Sequence, residues 1–501
     1  MKTELKERRM KGEKMTGRSR KNDRICLGSV SVLLSALLLQ MSIMGTTQAF
    51  VATKPQHNNQ NNRIVDQSSR IEAHIDGSEP EQSAFDSAIS RRSALMSAAK
   101  SASAAMLALS IDPSKSFAAN DSTKTITPIT AAWKSVDGLY TLEEEYNKNV
   151  VAFDGKAYQA MISDQSRTPL FYKAIEDRIA DGATTVLDLG TGPFAIFAIK
   201  AAELGAKKVY AIEANKEAAK SARETVTKKG FDDIITILEG FSTDIVLPDD
   251  DKVDLVVAEI IGSVASEEGV VATIADAHKR FAKNPTSPKS WIPTRVQTYV
   301  APASYTLHNM FGPPGFDWSK LNGEPVRFSC RDEGLQILSD PQIVEDIVFA
   351  DILKGANAKN KVLKFKVDEA RTKDNTEKLI EELQNNQLGK SEATRMAVAT
   401  GNSFTGMAFW PRLILSETET GDNSITINSR EYPTGGHQKS HWQTVLPIMN
   451  DIPIPVRGGD TIEVTANFEV PSGASGTSDI KTPATYKLDG TVTSTAEATP
   501  L

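Results

Sequence analysis

The stretch VLDLGTGPFA, residues 186–195, sets an apolar run directly before two closely spaced glycines, and the helical pattern FAIFAIKAAELG (194–205) follows. Glycines straight after a strand let the backbone approach a ligand closely, at a helix start whose free N–H groups favour anions and polar groups. Outward from that turn the alternation continues. TTVLDLG (184–190), KKVYAIEAN (207–215), IITILEG (234–240) and VDLVVAEII (253–261) read as strands, and KEAAKSARETVTKKG (216–230) reads as another helix. Short β-rich runs separated by helices predict a parallel sheet in a doubly wound α/β domain over residues 166–290. Beyond KSWIPTRVQTYVAPAS (289–304) the texture changes to short alternating strands with Pro and Gly punctuation, ending near DTIEVTANFEV (460–470). This predicts a second, mostly antiparallel β domain over 291–501, with a helical insertion near 371–395 around TEKLIEELQNN.

The bulk numbers narrow the function classes. A chain of 501 residues with a net charge of -7 is long enough for two or three cored domains. Past its N-terminus it has no basic run that would support nucleic-acid binding. Cys26 and Cys330 are its two cysteines, which leaves no disulfide framework and no Cys-based zinc site; no metal site is expected.

The first 24 residues are crowded with Lys and Arg, and the apolar run ICLGSVSVLLSALLLQMSIM (25–44) follows. A basic region plus an apolar one is the layout of a secretory signal over 1–49, and Thr47 and Ala49 suit cleavage. The run is also long enough to span a bilayer, so a signal anchor is the alternative. A new terminus FVATKP resembles the bipartite plastid presequences of algae. Residues 50–118 are polar and aperiodic at first, which predicts disorder, and then carry RRSALMSAAKSASAAMLALS, with Arg91 and Arg92 ahead of an Ala-rich stretch. That segment resembles a twin-arginine signal for the thylakoid lumen, a surface amphipathic helix being the other reading. The expectation is a plastid protein, at its finest a lumenal one, with no stable membrane association after processing. Cytoplasm, nucleus or a membrane anchor are the alternatives.

Gly190, Gly192 and Ala195 satisfy a loose dinucleotide fingerprint, so an NAD enzyme is one possible reading. Asp188 gives D-x-G-x-G, which resembles motif I of class I S-adenosylmethionine methyltransferases. Glu213 ends the next strand, where a carboxylate can take both ribose hydroxyls. Glu213 alone suits NAD equally well, and a loop cap is the plainer role for Asp188.

From about 155 to 470 the chain resembles a protein arginine N-methyltransferase, a Rossmann-like class I methyltransferase domain followed by a β-barrel. YQAMISDQSR (158–167) resembles the helix that closes over the cofactor, placed within a helical segment 119–165. The resemblance implies that Tyr158, Met161 and Arg167 bind S-adenosylmethionine, Arg167 pairing with its methionine carboxylate as a bidentate fork. AEIIGSVASEE (258–268) resembles the double-glutamate loop, whose acids stand nine positions apart, so Glu259 and Glu268 are selected over Glu267. WIPTRVQTYV, GFDWSKL and SDPQIVEDIVFADI resemble barrel segments. KSHWQTVLPI (439–448) resembles the Thr-His-Trp loop with Ser440 for threonine, which implies that His441 faces Asp164. The apolar HNMFGPPGFDWSKL (308–321) is the candidate arm of a homodimer. There are departures: Phe194 at the third glycine of motif I after Gly192-Pro193, Ala258 for a serine, and Thr243 for the acid expected at the adenine amine.

The chemistry gives the glutamates a reason. A guanidinium is charged at ordinary pH, its pKa lying above about 12, and the methyl donor is a cationic sulfonium. Two carboxylates can bring these cations together by offsetting charge and aiming one terminal nitrogen. Without a cation they repel, which raises one pKa. The resemblance therefore implies methyl transfer to arginine residues of protein substrates, with no role for nucleic acid. A methyltransferase for another acceptor and a non-catalytic binding scaffold are the alternatives.

Overall fold

The computed structural model of the chain describes residues 124–135, 161–248, 251–312, 317–321, 323–330, 334–355, 358–385, 387–417, 424–430, 440–474 and 482–495. Tyr158 and both expected targeting segments, 1–49 and 50–118, lie outside the described residues.

The described chain begins with strand β1 (Thr125–Lys134) and then builds the α/β domain: α1 (Thr168–Ala180), β2 (Thr185–Leu189), α2 (Ile196–Glu203), β3 (Lys208–Glu213), α3 (Lys216–Lys229), β4 (Ile235–Glu239), β5 (Leu255–Ala258), α4 (Val270–Arg280) and β6 (Trp291–Ile292). The five strands β2 to β6 pair in parallel in the order β4-β3-β2-β5-β6. Their apolar runs are continuous rather than alternating because a doubly wound sheet is covered on both faces; every residue of Val186–Leu189 and Leu255–Ala258 is buried. The helices show the opposite pattern. In α3 only the stripe Ala218, Ala219, Ala222 and Val226 is buried, Asn215 caps the first turn by accepting from Ala218 N at 2.9 Å, and Gly230 ends it with φ 75°.

The β domain follows with β7 (Arg295–Tyr305), α5 (Thr306–Met310), β8 (Val326–Ser329), β9 (Leu335–Ile337), β10 (Gln342–Val348), β11 (Lys361–Lys366), α6 (Glu369–Asn385), α7 (Lys390–Gly401), β12 (Ser403–Phe404), β13 (Gly406–Ser416), β14 (Ile425–Asn428), β15 (Gln443–Leu446), β16 (Ile454–Pro455), β17 (Thr461–Glu469) and β18 (Thr485–Ser494). One antiparallel sheet runs β1-β18-β17-β11; a larger one runs β10-β7-β13-β15-β8, with β14 on β13 and β9 on β7. The two meet around an aromatic core: the Trp133 ring lies 5.1 Å from Tyr486 and 5.6 Å from Phe409, and Phe468 meets Tyr486 edge-on at 5.0 Å. Such ring pairs contribute about 0.5–1.5 kcal/mol each beyond the burial of their area. The α/β domain followed by a mostly antiparallel β-barrel is the architecture expected from the sequence.

Two boundaries differ from expectation. Residues 125–134, expected within a helical segment, form a strand that pairs with β18 along its whole length, Thr125 opposite Ser494 and Lys134 opposite Thr485. The reason lies in TITPITAAWK: Ile129, Ala131 and Trp133 alternate inward while Thr130, Ala132 and Lys134 face out. Trp291 and Ile292, expected to open the barrel, instead pair in parallel with Val256 and Val257 as the last strand of the α/β sheet, and β7 begins the barrel. Helices α6 and α7 form a hairpin closed by Leu379, Leu383, Ala393 and Ala397.

Candidate active site

Strands β2 and β5 are neighbours at the point where the sheet order reverses, and the loops leaving their C-terminal ends carry the glycines and the glutamates. Crevices at such switch points are where open α/β sheets bind ligands. Gly190 and Gly192 both adopt positive φ, 73° and 65°, so these two positions disfavour β-branched or bulky residues. A Cβ on Gly190 would also come within 2.7 Å of Ile260 Cγ2. Asp188 braces the turn from below. Its Oδ2 accepts from Thr191 Oγ1 at 2.6 Å and from Ala198 N, in the first turn of α2, at 3.1 Å. Burial pushes its carboxyl up to about 7, and Oδ1 has no hydrogen-bond partner among the described residues. Glu213 Oε2 accepts from Gly192 N at 2.9 Å and Oε1 from Asn215 N at 2.8 Å; burial raises its pKa against these bonds.

On the other side of the crevice, Arg167 donates from Nη2 to Glu259 Oε2 as a buried ion pair, a contact not expected from the sequence. A buried guanidinium requires a counter-charge, and Glu259 supplies it while Phe171 and Phe197 cover the planar face at 5.6 and 5.1 Å. Arg167 Nε has no partner among the described residues, and Nη1 reaches Met161 O and Thr168 Oγ1 at 3.4 Å. Met161 thus enters through its carbonyl, which also accepts from Thr168 Oγ1 at 3.1 Å.

The three acids of the opposite loop part company. Glu267 is buried and turned to the barrel, where Arg327 grips it with Nη2 on Oε1 at 2.5 Å and Nη1 on Oε2 at 3.1 Å. Glu268 remains beside Glu259; burial and the neighbouring Glu259 and Glu267 charges push its carboxyl up to about 8. The loop is held from above by Trp442, whose Nε1 donates to Ile261 O at 2.9 Å, and by Gln443 N, which donates to Ser263 Oγ at 3.1 Å.

The His441 ring lies 3.9 Å from that of Trp442, tilted by 41°, and His441 meets Asp164 twice: its backbone N donates to Asp164 Oδ2 at 3.1 Å, and Nδ1 lies 3.0 Å from the same oxygen. Burial works against ionising Asp164, but the bonds from His441 and Ser166 prevail and hold its carboxyl down to about 2. Burial lowers the His441 pKa despite Asp164. A neutral imidazole with Nδ1 on a carboxylate keeps Nε2 as its basic nitrogen.

The fold thus gathers Asp164, Arg167, Glu259, Glu268 and His441 around one crevice, with Gly190, Gly192 and Glu213 at its other end. Thr243 sits in a short turn after β4, Ser242–Asp244. Not expected from the sequence were Arg327 and the group Ser266, Thr298, Glu345 and Tyr486 behind the loop. The available signal, an acid inside the apolar QIVEDIV, was ambiguous because a bulge between Ile343 and Glu345 breaks the alternation.

These residues fit S-adenosylmethionine. Gly190 leaves room for close backbone approach, Glu213 has carboxylate lone pairs left for ribose hydroxyls, and buried Asp188 Oδ1 and Arg167 Nε, without partners among the described residues, leave polar capacity unused.

Comparison with known proteins shows what the chain is similar to. The profile of the ribosomal protein L11 methyltransferase (PrmA) family matches residues 165–282. Protein arginine N-methyltransferase PRMT10 of Arabidopsis thaliana is 33% identical over 180 residues, 35% of this chain and 45% of its own length. Protein arginine N-methyltransferase 9 of Xenopus laevis is 36% identical over 154 residues, 30% of this chain and 18% of its own. The matched stretches therefore span less than half of either relative. A crystal structure of Arabidopsis thaliana protein arginine methyltransferase 10 aligns over 70% of this chain and 98% of that one, with 20% identity and a TM-score of 0.47. Over these stretches the chain is similar in sequence to protein arginine N-methyltransferases.

Proposed function

We propose that this chain transfers methyl groups from S-adenosylmethionine to guanidinium nitrogens of arginine residues in proteins. The observation that carries the reading is the Glu259–Glu268 pair at the end of β5, in which Glu259 already holds a guanidinium, that of Arg167. Glu259 binds one planar cation in this buried place, and Glu268 beside it adds the second carboxylate that a substrate guanidinium would need. Gly190, Gly192, Glu213 and Arg167 would hold the cofactor, which when bound supplies an electrophilic methyl group. Glu259 and Glu268 grip the substrate guanidinium, offset its charge and orient one terminal nitrogen; such positioning can be worth on the order of 7–11 kcal/mol of barrier. Asp164 fixes the His441 ring, and Nε2 accepts the proton that the nitrogen sheds. Incubation of the purified protein with labelled S-adenosylmethionine and an organelle extract, followed by mass spectrometry, tests this. Label on arginine is expected; label on another residue type alone, or none despite cofactor binding, contradicts it.

Two finer expectations belong to the same reading. Met310 and Phe311, at 43% and 39% exposed, present apolar side chains on the candidate arm, and they support a homodimer that light scattering would detect. The two stacked targeting patterns before residue 119 support an address in the plastid.

A further inference from the structure

Residues 265–267 carry none of the chemistry proposed above, yet each is tied to the barrel. Ala265 N donates to Thr298 Oγ1 on β7 at 2.9 Å, and the Thr298 hydroxyl donates on to Glu345 Oε2 at 2.6 Å. Ser266 Oγ donates to Glu345 Oε1 at 2.5 Å and lies 2.9 Å from Tyr486 Oη on β18. Glu267 is forked by Arg327 on β8. All three residues belong to the short 3₁₀ turn Ala265–Glu268, which Gly269 ends with φ 75°.

We propose that Glu345, on β10, is a positioning residue that locks this turn through Ser266 and Thr298, so that Glu268 is presented beside Glu259. The inference rests on the reading of Glu259 and Glu268 as the guanidinium-binding pair. A 3₁₀ turn has three residues per turn, so Ser266, Glu267 and Glu268 project about 120° apart. With Ser266 fixed toward β10 and β18 and Glu267 toward β8, the third direction is the only one left for Glu268. Glu345 is 1% exposed. A carboxyl in that place is unfavourable unless its oxygens are bonded, and both are, each to a hydroxyl that also engages the turn. An apolar residue would fill the same volume without setting the direction of the turn. Burial pushes the Glu345 carboxyl up to about 7 in spite of these bonds, as expected of an acid held for its geometry.

The test compares Glu345→Leu and Glu345→Gln with wild type in the full-length chain. Three things are read: methyl transfer to an arginine-rich peptide, S-adenosylmethionine binding by calorimetry, and amide hydrogen exchange in 264–269 against the parallel sheet. Leucine removes both hydroxyl contacts, whereas glutamine can accept from Ser266 and donate to Thr298. Glu345→Leu should lower kcat about 30-fold or more, since small misplacements of a reacting pair are costly, while cofactor binding stays within about threefold. Exchange in the turn should quicken about tenfold or more, with the sheet unchanged. Glu345→Gln should recover kcat to within about fivefold. The proposal is overturned if Glu345→Leu keeps kcat within about threefold, leaves turn exchange unchanged, or loses cofactor binding and sheet protection along with kcat. Should that variant not fold, Thr298→Val and Tyr486→Phe carry the same readouts, and no change in turn exchange or kcat in either overturns it. If wild type binds the cofactor but methylates no arginine, the functional reading fails, and the exchange data decide the locking role separately.

Discussion

Arg167 and Glu259, 92 residues apart in sequence, form a buried ion pair with side chains 5% and 8% exposed. Under the proposed function one residue would serve both ends of the crevice: the cation proposed for a cofactor carboxylate is also the one that pairs with the first glutamate of the proposed substrate-binding pair. Removing it leaves a buried carboxylate unpaired.

Arg167→Ala should destabilise the protein by about 3–5 kcal/mol, the usual cost of breaking a buried pair from one side. It should also weaken S-adenosylmethionine binding about tenfold or more through loss of a charge-assisted fork. Chemical denaturation and calorimetry measure the two effects. Unchanged stability would show that the pair does not persist in solution, and NADH binding in place of S-adenosylmethionine would contradict the cofactor assignment.

Glu268, with a carboxyl raised to about 8, makes stability depend on pH with a definite sign. Its folded pKa exceeds its unfolded one, so its contribution is full below the ordinary carboxylate range and is lost as pH rises toward 8. The slope is at most about 1.4 kcal/mol per pH unit for one proton. Glu268→Gln should flatten that part of the profile and leave the free protein more stable at pH 8. Substrate binding runs the other way: a guanidinium favours the ionised form, so arginine-peptide affinity should rise between pH 6 and 8 with release of a proton. Denaturation series and calorimetry in buffers of different ionisation heat check both signs.

The Asp164–His441 contact predicts a second pH effect. Held down to about 2, Asp164 stabilises the fold above its ordinary value near 3.8, and this contribution disappears as pH falls toward 2. Asp164→Asn should remove it and lower His441 basicity further, since the carboxylate supports the imidazolium. A fall in kcat of about 10–100-fold is expected, within the range of a positioned general base. An unchanged pH–rate profile would mean that His441 takes no proton.

The glycine turn after β2, Glu213 at the end of β3 and the acidic loop after β5 are local patterns legible in the sequence, each set within one strand and its loop; the choice of Glu259 and Glu268 within that loop rests on the family resemblance. What was not legible is non-local. Strand β1 alternates as clearly as any other, but its partner β18 lies more than 350 residues away, and a short alternating run beside an expected cofactor helix gives no hint of that pairing. Trp291 and Ile292 look like barrel residues because they are apolar and precede β7; only pairing with β5 assigns them to the parallel sheet. The Arg167–Glu259 pair, the Arg327 fork on Glu267 and the Glu345 network depend on which side chains two domains bring together, and spacing carries no record of that.

The N-terminal reading has its own test. Under the proposed plastid address, a fluorescent fusion of residues 1–125 should enter the plastid, because an apolar signal, a polar stretch and a twin-arginine segment would then act as successive addresses. Diffuse cytosolic or nuclear fluorescence would overturn it.

Single-turnover methyl transfer by Glu259→Gln, Glu268→Gln and Glu267→Gln tests the central claim most directly. Glutamine keeps shape and hydrogen-bonding capacity but deletes the charge that offsets the substrate cation. Glu259→Gln and Glu268→Gln should therefore lose two orders of magnitude or more, roughly 2.7 kcal/mol, with S-adenosylmethionine affinity little changed for Glu268→Gln. Glu267→Gln, whose side chain faces Arg327, should lose less than about tenfold. Equal losses at 267 and 268, or a larger loss at 267, would contradict the assignment of Glu259 and Glu268 as the pair that grips the substrate.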